Sequence, residues 1–209
     1  MSRSPWPIPG FEPVILPPAY AGSVGRYLLL AASPHAIVDN ATRHNKRFKS
    51  THRTEIIDTR GVLTLTVPLK GGSCPTWADA RISDHGRWQQ NHLTALASAY
   101  GRTPFFEFYI DRIAPLLLAA EGGNRLVDLN SAIEKTICNM LHIPEPEYTE
   151  APEVTAVDMR SRHAVSPDRP YWQIRADRLG FHPGLSILDL LFNLGPEASL
   201  YLLQSVKTD

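Results

Sequence analysis

Apolar positions recur with two different periods along this chain, and each period predicts its own kind of element. Val14, Ile15 and Leu16 form a short apolar run closed by Pro17 and Pro18, the pattern of a buried strand entering a turn. Ser23 stands where a helix needs its N-terminal cap. The stripe Val24, Tyr27, Leu28, Leu30 and Ala31 follows at helical spacing, and Pro34 stops it ahead of a second apolar segment, 35–38. Strand, helix and strand in that order predict a crossover between parallel strands, and the open end of such a sheet is where loops collect ligands.

The period then changes to two. Leu63, Leu65 and Val67 alternate with Thr64 and Thr66, so 54–58 and 62–69 predict an antiparallel hairpin turning at Thr59, Arg60 and Gly61, with Pro68 at its exit. Residues 70–76 read as a loop and 80–83 as a further short strand. From Trp88 the helical period returns: Trp88, Asn91, His92, Ala95, Leu96 and Ala99 share one stripe, Tyr100 closes the last turn, and Gly101 is placed to cap it. Pro104 restarts a helix through Phe105, Phe106, Phe108 and Tyr109, which predicts a corner under an aromatic cluster, a candidate pocket wall. Residues 124–142 predict a long helix with Leu126, Leu129, Ile133, Ile137 and Leu141 on one face, 143–152 a connector, and 154–157 an edge strand. Finally Ser186 caps a helix through Asn193, Gly195 ends it, and Pro196 opens another. These elements predict an α/β fold. After an N-terminal extension over 1–13, a single domain over 14–209 has a mixed β-sheet, made of the β-α-β unit and the hairpin, flanked by several helices.

Composition narrows the partners. The 209 residues suffice for one well-buried core, and 21 Lys and Arg are matched by 21 Asp and Glu, so no net field draws the chain to nucleic acid or to an anionic membrane. No apolar run has the length of a membrane span, and MSRSPWPIPGFEP lacks the apolar middle of a signal peptide, so a cytoplasmic protein is expected. Cys74 and Cys138 form neither a CxxC pair nor a disulfide framework and are expected as reduced thiols. The P-loop, the dinucleotide GxGxxG, the GxSxG elbow and HExxH are all missing. His85 and His92 do not share the one-turn spacing of paired helix ligands, and no metal site is expected.

Three groups of residues carry candidate chemistry. His92, on an apolar and aromatic helix face, suits a general acid or base, or a core histidine satisfied by a backbone carbonyl. The basic window 43–53, with Lys46, Arg47, Lys49 and Arg53, suits a phosphate or carboxylate site, or a solvated loop. Asp189 and Asn193, four apart on one helix, suit a shared pocket, or capping and exposure.

Four stretches together resemble the WbqC-like family of bacterial proteins: ILPPAYAGSVGRY, THRTEIIDTRGVLTLTVPL, Trp88 with His92, Tyr100 and PFFEFY, and the ending GF-x-P-x-LSI-x-DLLFN-x-GP. The chain departs from the usual family pattern at Tyr20-Ala21-Gly22, where YFP is usual, and at His52-Arg53, where Asn-Arg is usual. Members are often encoded among genes for surface polysaccharide synthesis, so the resemblance implies a role near glycan assembly. The implied activity is a transferase moving an acyl or aminoacyl group to or from an activated sugar, its partners being a sugar, nucleotide sugar or acyl donor. In it His92 deprotonates an amine or hydroxyl, Tyr100 orients the histidine or the sugar, Arg53 holds a phosphate or carboxylate, and Tyr20, Lys46, Arg47, Asp189 and Asn193 contact substrate. Two alternatives stand beside it. One is a nucleotide-dependent acid-activating enzyme with Lys46, Arg47 and Arg53 on the phosphates; the other is a noncatalytic scaffold using the PFFEFY and YWQIR aromatics. No cofactor is assigned.

Overall fold

The computed structural model of the protein describes residues 11–44, 49–72, 74–152, 155–161, 165–167 and 169–206. β1 (Val14–Leu16), α1 (Val24–Ala32) and β2 (Ala36–Asp39) form the strand–helix–strand unit, with the strands parallel and Ile15 opposite Ile37. Ser23 caps α1, its side chain accepting the Arg26 N–H. Every residue of both strands is buried, which is why Val14–Leu16 and the stretch 36–38 read as unbroken apolar runs: the sheet is covered on both faces.

β3 (Arg53–Asp58) and β4 (Gly61–Thr66) make the hairpin, in register from Arg53–Thr66 to Asp58–Gly61, and form a two-stranded sheet of their own. The parallel and antiparallel pairings thus occupy separate sheets. β4 ends at Thr66, short of the predicted end at 69, because Pro68 has no N–H to continue the ladder. Residues 80–83 contribute isolated bridges, Leu69 with Ile82 and Arg81 with Arg125, rather than a strand.

α2 (Trp88–Tyr100), α3 (Phe106–Leu118) and α4 (Leu126–Leu141) follow. On α2 the stripe Trp88, His92, Leu96, Ala99 and Tyr100 is buried, whereas Asn91 is exposed. β5 (Glu147–Thr149) lies inside the predicted connector and pairs parallel with β2, and β6 (Val157–Asp158) pairs parallel with β1. The sheet order is therefore β5-β2-β1-β6. α5 (Ala176–Leu179), the almost wholly buried α6 (Ile187–Leu194) and α7 (Glu197–Val206) complete the chain, with Gly195 ending α6. One apolar cluster joins β1, α1, β2, the hairpin, α2, α3, α4, α6 and α7. The aromatic corner belongs to this core: Phe106 meets Phe192 edge-on with centroids 5.0 Å apart, while Phe108 is exposed. Among the described residues no helix is long and apolar enough to cross a membrane.

Candidate functional site

A cavity of about 490 Å3 opens where the parallel strands end. Leu16 and Pro17 leave β1, and Met159 and Arg160 leave β6, side by side at its floor. The chain moves from β1 to β2 on one flank while β6 sits on the other, so the cavity lies at the point where the strand order changes direction, a position that repeatedly holds ligands in open α/β sheets. Its volume is within the range of about 300–1,000 Å3 that suits small-molecule sites. The aromatic corner contributes none of its lining.

The wall between β1 and α1 is held from several sides. The Ala21 carbonyl accepts the hydroxyls of Thr54 at 2.8 Å and Ser186 at 2.7 Å, which holds Ala21 at a φ of 41° that a non-glycine residue rarely adopts. Within the first turn of α1, Arg26 leads into the buried interior. Its Nε donates to Glu134 at 2.5 Å, its Nη2 to the other carboxylate oxygen at 3.1 Å, and its Nη1 to the Pro17 carbonyl at 2.7 Å. Tyr148 donates to the same carboxylate. At the N-terminus of α1 the Val24 N–H donates to the Leu185 carbonyl at 3.0 Å, and the Val165 carbonyl oxygen stands where a Cβ on residue 25 would be.

Four cations line the cavity, and their partners divide them into two pairs. Arg26 is neutralised by Glu134, and Arg160 bridges Asp39 at 2.7 Å and Asp158 at 2.8 Å. Lys49 and Arg53 have no carboxylate partner among the described residues. The lining also carries Ser50, Thr54, Thr64 and Ser186 as hydroxyls and Glu55 as a carboxylate.

The described residues singled out by sequence fall into three places. Arg53 lines the cavity, whereas Lys46 and Arg47 lie outside the described residues. Tyr20 and His92 meet behind the cavity wall: the Tyr20 hydroxyl lies 2.8 Å from His92 Nδ1, and both side chains are buried. Burial lowers the His92 pKa to about 4, partly offset by a hydrogen bond to the Thr66 backbone. Burial also holds the Tyr20 phenol protonated, so the phenol donates and both ring nitrogens of His92 are engaged.

Tyr100, Asp189 and Asn193 share a second buried cluster. Asp189 Oδ2 accepts Tyr171 at 2.6 Å and Gln173 at 3.0 Å, Asn193 Oδ1 accepts the Ile174 N–H at 3.1 Å, and the Tyr100 hydroxyl accepts the Ile57 N–H at 3.3 Å. Burial raises the Asp189 pKa, and hydrogen bonds from Tyr171, Tyr100, Gln173 and Asn193 offset part of that rise. This network ties α2, β3 and α6 to the segment 171–174; Asp189 and Asn193 are buried and take no part in lining the cavity at the strand ends. An acid and an amide inside the apolar run DLLFN need buried partners, the one sequence signal pointing to such a network. Arg160 and Glu55 carried no signal, since each is an ordinary surface-type residue until the sheet order places it on the cavity.

Cys74 and Cys138 are free, and burial raises the pKa of both thiols. No cluster of His, Cys, Asp and Glu suited to a metal occurs among the described residues.

The profile of the WbqC-like protein family matches residues 18–166. A protein of Mycobacterium tuberculosis, named "Uncharacterized protein Rv1507c", is 27% identical over an alignment that covers 85% of this chain and 91% of the relative. No solved structure matches.

Proposed function

The chain belongs to the WbqC-like protein family, and from that membership and the charge of its cavity we propose a cytoplasmic transferase of bacterial surface-polysaccharide synthesis. It moves an acyl or aminoacyl group to or from a phosphate-bearing activated sugar. The observation that carries the reading is the unequal pairing of the cavity's cations: two are cancelled by carboxylates, while Lys49 and Arg53 keep their charge beside the hydroxyl-bearing wall. Such a pair suits a phosphate, with arginine as a two-pronged donor and lysine as a point charge. In this reading the exposed lining groups Thr64 and Glu55 contact sugar hydroxyls. In this reading His92 acts through the wall, holding Tyr20 and so the loop from Ala19 to Ser23, and Tyr100 acts through β3 in the same way.

The test is the thermal midpoint of the protein against nucleotide sugars, nucleoside triphosphates and acyl-coenzyme A compounds. A ligand bound only by the folded state at a hundred times its Kd stabilises by about 2.7 kcal/mol. The expected result is a rise with nucleotide sugars that disappears in Arg53→Ala. A rise with nucleoside triphosphates alone would favour acid activation, and no rise with any panel would favour the scaffold.

A further inference from the structure

The acceptor that orients Arg53 carries no charge. Arg53 Nε donates to Nε2 of the preceding residue, His52, at 3.2 Å. His52 is fixed in turn: its N–H donates to the Lys49 carbonyl at 3.2 Å, its carbonyl accepts the Val67 N–H at 2.8 Å, and its ring lies against buried Trp77 with centroids 5.7 Å apart. An imidazole that accepts at Nε2 is neutral and carries its proton on Nδ1. Burial, together with the charges of Arg53, His44 and Lys49, lowers the His52 pKa to about 4, so it remains an acceptor through the neutral range. The contact occupies Nε of Arg53 and leaves its two terminal nitrogens without a protein partner among the described residues.

Arg26 and Arg160 show the usual alternative, orientation by carboxylates that also cancel the charge. A neutral acceptor fixes the guanidinium and leaves its charge for a ligand. We propose that His52 is a positioning residue for the substrate's phosphate: it holds Arg53 by Nε so that the terminal nitrogens, with Lys49, grip that group. This rests on the reading of the cavity as the site of a phosphate-bearing substrate.

The experiment is calorimetric titration of the full chain with inorganic pyrophosphate, for the wild type, His52→Gln, His52→Phe, His52→Leu and Arg53→Ala, each first checked for a cooperative thermal transition. Gln offers an acceptor oxygen near the place of Nε2 and binds as the wild type does. Phe and Leu retain apolar contact with Trp77 but no acceptor, and bind roughly three- to tenfold more weakly, the worth of one orienting hydrogen bond. Arg53→Ala loses more than either. Without any ligand, the Arg53 Nε–H resonance in nitrogen-15 spectra shifts in the same sense in Phe, which keeps a ring, and Leu, which does not, and stays near its place in Gln, so that it follows the acceptor rather than the ring. Wild-type affinity in a folded Phe or Leu variant, with binding lost in Arg53→Ala, would overturn the role of His52 and leave the cavity reading standing. A wild type that ignores pyrophosphate, or an Arg53→Ala variant that binds it unchanged, would overturn both.

Discussion

His92 is neutral in the folded protein because its ring is buried beside Trp88 and Tyr20 and accepts the Tyr20 hydroxyl at Nδ1. Burial lowers its pKa from the ordinary 6.5 to about 4. Below pH 6.5 the unfolded chain therefore binds a proton that the folded chain does not. Stability falls as the pH drops from about 6.5 toward 4 and is indifferent to this group above that window, with a slope of up to about 1.4 kcal/mol per pH unit. His52 adds a contribution of the same sign. His92→Gln keeps a hydrogen-bond partner for Tyr20 and removes the titration. Urea unfolding at pH 7.5 and pH 5 should show the wild type losing about 1–2 kcal/mol more than the variant. Equal losses would mean that His92 titrates in the folded state as it does in the open chain.

At the scale of elements, α1 depends on a close approach. A Cβ on Gly25 would lie 1.4 Å from the Val165 carbonyl oxygen, so the first turn of α1 and the segment 165–167 fit together only because residue 25 is glycine. Gly25→Ala should cost about 1–3 kcal/mol in urea unfolding, as overpacking does. Gly184→Ala, with nothing within 4 Å of its added Cβ, should stay within about 0.5 kcal/mol. Equal stabilities would show that the 165–167 segment moves aside at no cost. The elements legible in sequence were those whose signals are local: the Ser23 and Ser186 caps, the Gly195 stop, and the alternation of Leu63 and Leu65 with Thr64. β5 was hidden because its residues, Glu147, Tyr148 and Thr149, are exposed or half-buried at a sheet edge and sit among prolines and acids.

For the whole molecule, the N-terminal unit, the hairpin and the helices draw on one apolar cluster, which takes in Val14 and Ile56 as well as Leu202 near the far end of the chain. A single domain over 14–209 is accordingly expected to unfold as one unit. Scanning calorimetry should show one transition whose calorimetric and van't Hoff enthalpies agree. Two resolved transitions would divide the chain into separately folding parts. The balance of 21 positive and 21 negative residues also means that, on the proposed reading, attraction for an anionic ligand would be set within the cavity by Lys49 and Arg53, not by a field over the surface.

By itself the sequence determined the α/β class, the parallel opening unit, the place of the hairpin and the helix ends marked by Ser23, Ser186 and Gly195, because caps, turns and apolar periods act over a few residues. The hairpin register, with Gly61 paired to Asp58 rather than in the turn, came only with the structure. The sequence also pointed to Arg53 as a cation beside the hairpin. Tertiary structure alone decided which charges survive. Arg26 meets Glu134 108 residues away, and Arg160 meets Asp39 121 residues away, so two arginines are cancelled by partners that no local pattern connects. The same long-range pairing closed His92 against Tyr20, 72 residues distant, and set β6 beside β1 to open the cavity. Such contacts follow from strand order and packing, which bring together side chains whose spacing along the chain carries no period.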